Sequence, residues 1–206
     1  MNEEQFIRWI CVYASELHTN KEMLTELDSA IGDGDHGLNM DRGFQAVLTK
    51  LESPQTGGIG GIAKTVSATL ISTVGGASGP LYGTFFLKAA LALSGKTKCT
   101  ALEYAAALEK GCAGIQALGK AQLGDKTMLD AMIPAIAAFK QAAESGSDFS
   151  VCATAAAQAA KSGMEATIPL MAKKGRASYL GERSTGHQDP GATSTYLFFK
   201  AAVDTL

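Results

Sequence analysis

The sequence predicts an all-α fold, with eight helices running up and down and one polar site at the rim of the bundle. Apolar residues recur at spacings of three and four along most of the chain, and no stretch alternates with the period of two that marks a half-buried strand. Alanine makes up about one residue in six, which favours helices with slim sides packed close together. The connections alternate along the chain between short, plain ones and long, glycine-rich, charged ones.

Asn2 caps the first helix, with Gln5 in the capping-box position, and Phe6, Trp9, Ile10, Tyr13 and Leu17 form its apolar stripe. A short helical extension over 22–27 runs into Asp28-Ser29-Ala30-Ile31-Gly32-Asp33-Gly34-Asp35-His36-Gly37, too rich in glycine and carboxylate to stay helical. Met40, Phe44, Val47, Leu48 and Leu51 form the stripe of the second helix, which stops before Ser53-Pro54. The third helix is expected over 60–74 and the fourth over 80–93, with Pro80 at its first position. Thr100 and Glu103 make a capping box for the fifth, over 101–118, and Thr127 opens the sixth, which reaches 143. Asp148 or Ser150 caps the seventh, which is expected to run to 173 with a bend at Pro169. Residues 193–204 form the eighth.

At 206 residues, 46% hydrophobic and 18% charged, the chain is expected to form one helical domain over 1–206 with a substantial core. With 18 Lys+Arg against 20 Asp+Glu, it has no basic excess for binding nucleic acid. No run of eighteen apolar residues is present, and Glu3, Glu4 and Glu16 occupy the place of a signal peptide's basic and apolar regions, so a soluble, cytoplasmic protein is expected, away from the membrane. Cys11, Cys99, Cys112 and Cys152 form no CxxC pair and read as reduced core thiols.

The connections over 53–58, 94–98 and 144–147 are chemically plain. Those over 28–38, 75–79, 119–126 and 175–191 carry the glycines and charges. In an up-and-down bundle, alternate connections lie at the same end, so these four meet at one mouth. Asp28, Asp33 and Asp35 lie within eight residues of one another, and Gly32 and Gly34 let the loop fold so that the carboxylates face inward. Such a cluster calls for a cation, and an all-oxygen donor set suits Mg²⁺ or Ca²⁺. An EF-hand is excluded, because the twelfth position counted from Asp33 is Phe44 and from Asp35 is Ala46, where a bidentate Glu is required. Gly75-Gly76-Ala77-Ser78-Gly79 offers backbone N–H groups to an anion, and Arg176 and Arg183 flank the last loop as partners for a terminal phosphate. Three carboxylates with a nucleoside diphosphate carry about −6; two Mg²⁺ and Arg176 bring this to about −1, so two cations fit better than one.

Other patterns fail. Gly95-Lys96-Thr97 lacks the glycine five positions earlier that a Walker loop requires, since Ala90 stands there. Gly58, Gly60 and Ala63 follow no strand, and Ser78 has no GxSxG frame.

Gly32-Asp33-Gly34-Asp35-His36-Gly37, Gly75-Gly76-Ala77-Ser78-Gly79-Pro80, Gly124-Asp125-Lys126-Thr127-Met128-Leu129-Asp130 and Gly186-His187-Gln188-Asp189-Pro190-Gly191-Ala192 occur in this order, and with them the chain resembles the L subunit of dihydroxyacetone kinase. The resemblance covers essentially the whole chain. It implies an antiparallel eight-helix barrel with ADP and two Mg²⁺ at one rim, the metals held by Asp28, Asp33 and Asp35. It places His36, Gly37, Leu38, Asn39, Ala77 and Ser78 on the phosphate side, and Gly119 and Met128 beside the adenine. Arg176 faces the phosphates and Asp189, Pro190 and Gly191 close over the nucleotide, so that Arg176 and His36 are the catalytic candidates.

The resemblance further implies a K subunit that holds dihydroxyacetone, and a phosphohistidine M subunit of the phosphotransferase system that phosphorylates the bound ADP, giving ATP in the phosphorylated state. Because the L barrel takes up the 206 residues, the K domain is expected on a separate chain. The competing readings are a subunit that uses exchangeable ATP for a related ketose, and a non-catalytic nucleotide-loaded module that reports to a transcriptional regulator.

Overall fold

A computed structural model describes residues 1–205. The helices are α1 (Glu3–Thr19), α2 (Lys21–Ile31), α3 (His36–Leu51), α4 (Gly58–Thr73), α5 (Ser78–Ala92), α6 (Ala101–Gly119), α7 (Leu129–Glu144), α8 (Phe149–Ala166) and α9 (Pro190–Val203), with a 3₁₀ helix over Arg176–Ser184. The capping boxes of Asn2 with Gln5 and of Thr100 with Glu103 both form. Among the described residues there is no strand, and no helix is long and apolar enough to cross a membrane.

Each of α3 to α9 packs on the next, while α1 packs on both α3 and α9, so eight helices close into a ring and α2 braces one end. Trp9 Nε1 donates to the Phe198 carbonyl at 3.1 Å and the Tyr13 hydroxyl to that of Ser194 at 3.1 Å, so α1 rises as α9 descends. Phe198 lies at the centre of the ring and meets Trp9 edge-on at 4.6 Å, with Tyr13, Phe85 and Phe86 around it. Edge-to-face packing of this kind adds to the burial of each ring, itself worth about 1.5–3 kcal/mol. The alanines serve as expected: Ala153, Ala156 and Ala160 form the buried stripe of α8. Beyond them, Gly163 lets α8 approach so closely that a Cβ there would stand 2.1 Å from the Asp130 carbonyl of α7.

The structure departs from the sequence reading at several boundaries. Helix α9 begins at Pro190, three residues before the expected 193, capped by Asp189, and α4 and α5 each begin two residues early, so Pro80 is the third residue of α5 rather than the first. The extension over 22–27 is a full helix, α2, with Leu24, Asp28 and Ile31 on its buried face; the carboxylate interrupts an apolar stripe that is otherwise regular. Pro169 ends the seventh predicted helix rather than bending it, and α8 stops at Ala166, because the residue before a proline is pushed out of the helical region. The sixth predicted helix begins at Leu129, two residues late: Met128 is its N-cap, and the Thr127 N–H is taken by Asp130 Oδ2 at 2.7 Å. Residues 176–184, read as loop, contain the 3₁₀ helix. Of the cysteines, Cys99, Cys112 and Cys152 are buried, but Cys11 falls off the apolar stripe of α1 and is exposed.

Candidate functional site

The N-termini of α3, α5, α7 and α9 converge at one mouth with the C-terminus of α2, around a cavity of 280 Å³. The four charged connections therefore do meet. Four helix N-termini aimed at one space concentrate unsatisfied N–H groups and positive dipole ends, which suits an anion.

Asp28, Asp33 and Asp35 each place a carboxylate oxygen within 4.8 Å of the others. Asp28 is buried and fixed: its Oδ2 accepts from the backbone N–H groups of Asp35 at 2.9 Å and His36 at 3.1 Å. This caps α3 from outside and leaves the Asp35 carboxylate free of that duty. Gly32 is required where the chain passes over Asp28, since a Cβ there would lie 2.1 Å from Asp28 Oδ1, and Gly34 turns the loop at a φ of 73°. Arg176 Nη2 pairs with Asp33 Oδ2 at 3.0 Å, with side chains 66% and 35% exposed. Three converging carboxylates with no sulfur or nitrogen donor among them fit a hard divalent cation.

His36 is buried between two helix starts. Its Nδ1 lies 3.1 Å from Ser78 Oγ of α5 and its Nε2 3.0 Å from Ser194 Oγ of α9. Burial holds its pKa below the ordinary histidine value, against an opposite pull from Asp28 and Asp35. The imidazole thus ties α3, α5 and α9 together at the mouth.

Ala77 and Ser78 line the cavity, as do Gly119 and Met128 on the wall formed with Leu81 and Ile115. That wall is apolar and suited to a flat ring. Asp189, Pro190 and Gly191 also line the cavity, with Gly191 packed beside Met128. Asp189 caps α9, accepting from Ala192 N–H at 2.7 Å, and its own N–H donates to Thr167 Oγ1 at 3.0 Å. Burial pushes its carboxyl up to about 7; the Ala192 N–H opposes this, Asp130 adds to it, and the Lys126 ammonium again opposes it.

Four predicted residues do not line the cavity, one of them Arg183, which is exposed near the end of the 3₁₀ helix and so is not brought to the site with Arg176. Gly37 is where α2 and α3 approach, and a Cβ there would stand 1.9 Å from the Lys21 carbonyl. Leu38 is 56% exposed on the far side of the first turn of α3. Asn39 is buried beneath Gly75, its Oδ1 accepting from Arg42 Nη2 at 2.7 Å. Leu38 is exposed and Gly37 has no side chain, so any role for these two rests on their first-turn N–H groups, while Asn39 supports the glycine loop from below at Gly75. The cavity also holds Tyr82 and Lys126, which had been given no role. Lys126 lies inside one of the motif blocks, but nothing in a lysine beside an aspartate signals burial.

Residues 30–204 match the DAK2 domain family. The chain belongs to that family. This DAK2 domain is 46% identical over 194 residues to the "PEP-dependent dihydroxyacetone kinase, ADP-binding subunit DhaL" of Escherichia coli (strain K12), which covers 94% of this chain and 92% of that one. It is 41% identical over 199 residues to the corresponding subunit of kinase 1 of Listeria innocua, covering 97% and 94% of the two chains. The fold is shared with the crystal structure of the dihydroxyacetone kinase of C. freundii, at a TM-score of 0.75 and 25% identity over 100% of this chain. The same kinase in complex with AMP-PNP and Mg²⁺ gives a TM-score of 0.72 over 96% of this chain. The DAK2 domain described here spans about a third of the length of that kinase (35%).

Proposed function

We propose that this chain is the ADP- and Mg²⁺-binding phosphotransfer subunit of a phosphoenolpyruvate-dependent dihydroxyacetone kinase, acting in the cytoplasm as one domain over 1–206. The observation that carries this reading is the facing of three carboxylates and four helix N-termini across one cavity. The near full-length likeness to subunits named ADP-binding supports it. In this reading the chain would hold ADP at the mouth, where a phosphohistidine protein, the M subunit, could phosphorylate it and a K subunit could present dihydroxyacetone as the phosphoryl acceptor.

Asp28, Asp33 and Asp35 would hold the metal, as two Mg²⁺, whose chemistry is to neutralise phosphate charge and fix its orientation. The residues of the chain then position the nucleotide. N–H groups of the first turns of α3 and α5 face the phosphates, with Ser78 held there by His36. Arg176, now on Asp33, has reach and charge to follow a developing negative charge at the mouth. Met128, Gly119, Leu81 and Ile115 take the adenine, and the Asp189 lip excludes water. Phosphoryl transfer needs little covalent help from the protein, so positioning and charge are sufficient roles for this chain.

Reconstitution tests the reading. With phosphoenolpyruvate, the phosphotransferase proteins, an M subunit and a K subunit loaded with dihydroxyacetone, adding this chain is expected to start formation of dihydroxyacetone phosphate without added ATP. Turnover that requires stoichiometric ATP and ignores the M subunit would contradict it.

A further inference from the structure

Lys126 is buried, at 1% exposure, and the phosphotransfer reading gives it no part. Its Nζ donates to the backbone carbonyls of Thr167 at 2.9 Å, Leu170 at 3.0 Å and His187 at 2.5 Å, with that of Ile168 farther off at 3.5 Å. Its backbone holds the left-handed φ of 60° that side-chain-bearing residues seldom adopt, a conformation that persists only where the surroundings impose it. The two segments it joins are otherwise held to each other by the Gly186 N–H on the Ile168 carbonyl at 2.8 Å and the Asp189 N–H on Thr167 Oγ1. Thr167 follows the last residue of α8, where carbonyls lack helical partners and the dipole is negative, so an ammonium is the fitting occupant. One side chain from the loop before α7 thus fastens both the end of α8 and the lip that lines the cavity.

We propose that Lys126 is a positioning residue whose ammonium, caged by the carbonyls of Thr167, Leu170 and His187, latches residues 187–191 over the nucleotide cavity and sets how fast nucleotide leaves. The nucleotide half rests on the functional reading above; the latch itself does not. Without the ammonium, the Leu170 and His187 carbonyls lose their donor and the Thr167 carbonyl keeps only the Leu170 N–H at 3.2 Å, so the lip opens to let water satisfy them.

The test uses Lys126→Ala, which keeps Cβ, together with n-propylammonium, which supplies the missing part of the side chain. Amide exchange at 186–191 in the nucleotide-free chain is expected to rise at least about tenfold, the scale set by buried acceptors left unpaired, while amides of α1 and α4 hold their protection. ADP loss from the loaded chain should accelerate by a similar factor. Propylammonium should reverse both effects and propan-1-ol, its neutral analogue, neither. Unchanged exchange at 186–191, a rise shared equally by α1, or rescue by the alcohol as well would overturn the latch.

If the variant does not fold, acetylation of the native chain gives the answer. Lys126 should be labelled at the rate at which 186–191 open, and labelling only with global unfolding would overturn the proposal. A native chain that takes up no ADP contradicts the functional reading and the nucleotide half of this one, and leaves the exchange result to decide the latch.

Discussion

At the scale of single residues, the site depends on which side chains are already engaged and which are free. Asp28 spends one oxygen on capping α3, whereas Arg176 is held only by an exposed pair with Asp33. Exposed pairs contribute about 0–1 kcal/mol, so Arg176→Ala should leave the thermal midpoint nearly unchanged while slowing phosphoryl transfer at least about tenfold. A normal rate with both partner subunits present would remove Arg176 from the reaction. Asp189 titrates in the opposite sense from a paired carboxylate. Its folded pKa, about 7, lies above the ordinary value of 3.8, so its contribution to stability is full below about pH 4 and is lost as pH rises toward 7. Urea denaturation of the nucleotide-free chain should show stability falling across that window by up to about 1.4 kcal/mol per pH unit, and Asp189→Asn should flatten the slope. The carboxylate cluster was legible because aspartates and glycines crowd one short loop. The roles of Lys126 and Ser194 were not, since burial of a polar side chain depends on partners more than 40 residues away.

At the scale of elements, caps and breakers mark most boundaries, and the misplaced ones have local causes. The capping boxes at Asn2 and Thr100 and the Asp148 cap are all in place. Helix α2 outruns the extension expected over 22–27 because the middle one of its three buried-face positions, Asp28, is a carboxylate needed at the mouth, where function overrides the apolar pattern. Pro169 carries a strong signal, but whether it bends or ends a helix is decided by the segment beyond, which here turns back to meet Lys126. Close packing of α7 on α8 gives the sharpest prediction at this level. Gly163→Ala would set a Cβ against the Asp130 carbonyl, a backbone atom that cannot rotate away. Differential scanning calorimetry should show a destabilisation of about 1–3 kcal/mol. An unchanged midpoint would mean that α8 can draw back at no cost.

For the whole molecule, the alternation of plain and charged connections already placed one site at one end, and only the closure of the ring lay beyond it. Closure rests on α1 meeting α9, a pairing of the two ends of the chain that no local pattern encodes. Phe198 is where that pairing is centred, and Phe198→Ala should cost about 3–5 kcal/mol by denaturant titration, with the loss felt across the whole ring. A loss below about 1 kcal/mol would show that the core refills the space. The ring is what holds four helix starts at fixed separation around the carboxylates, and a nucleotide held there with metal is the central claim. It is tested most directly by purifying the chain through gel filtration in Mg²⁺ buffer, denaturing it, and identifying released nucleotide by chromatography, with and without prior chelation and beside Asp33→Ala. The expected result is near-stoichiometric ADP from the native chain, lost on chelation and absent from the variant. ADP that survives both the chelator and the loss of Asp33 would contradict the metal assignment, and a native chain free of nucleotide would contradict ADP as a resident cofactor.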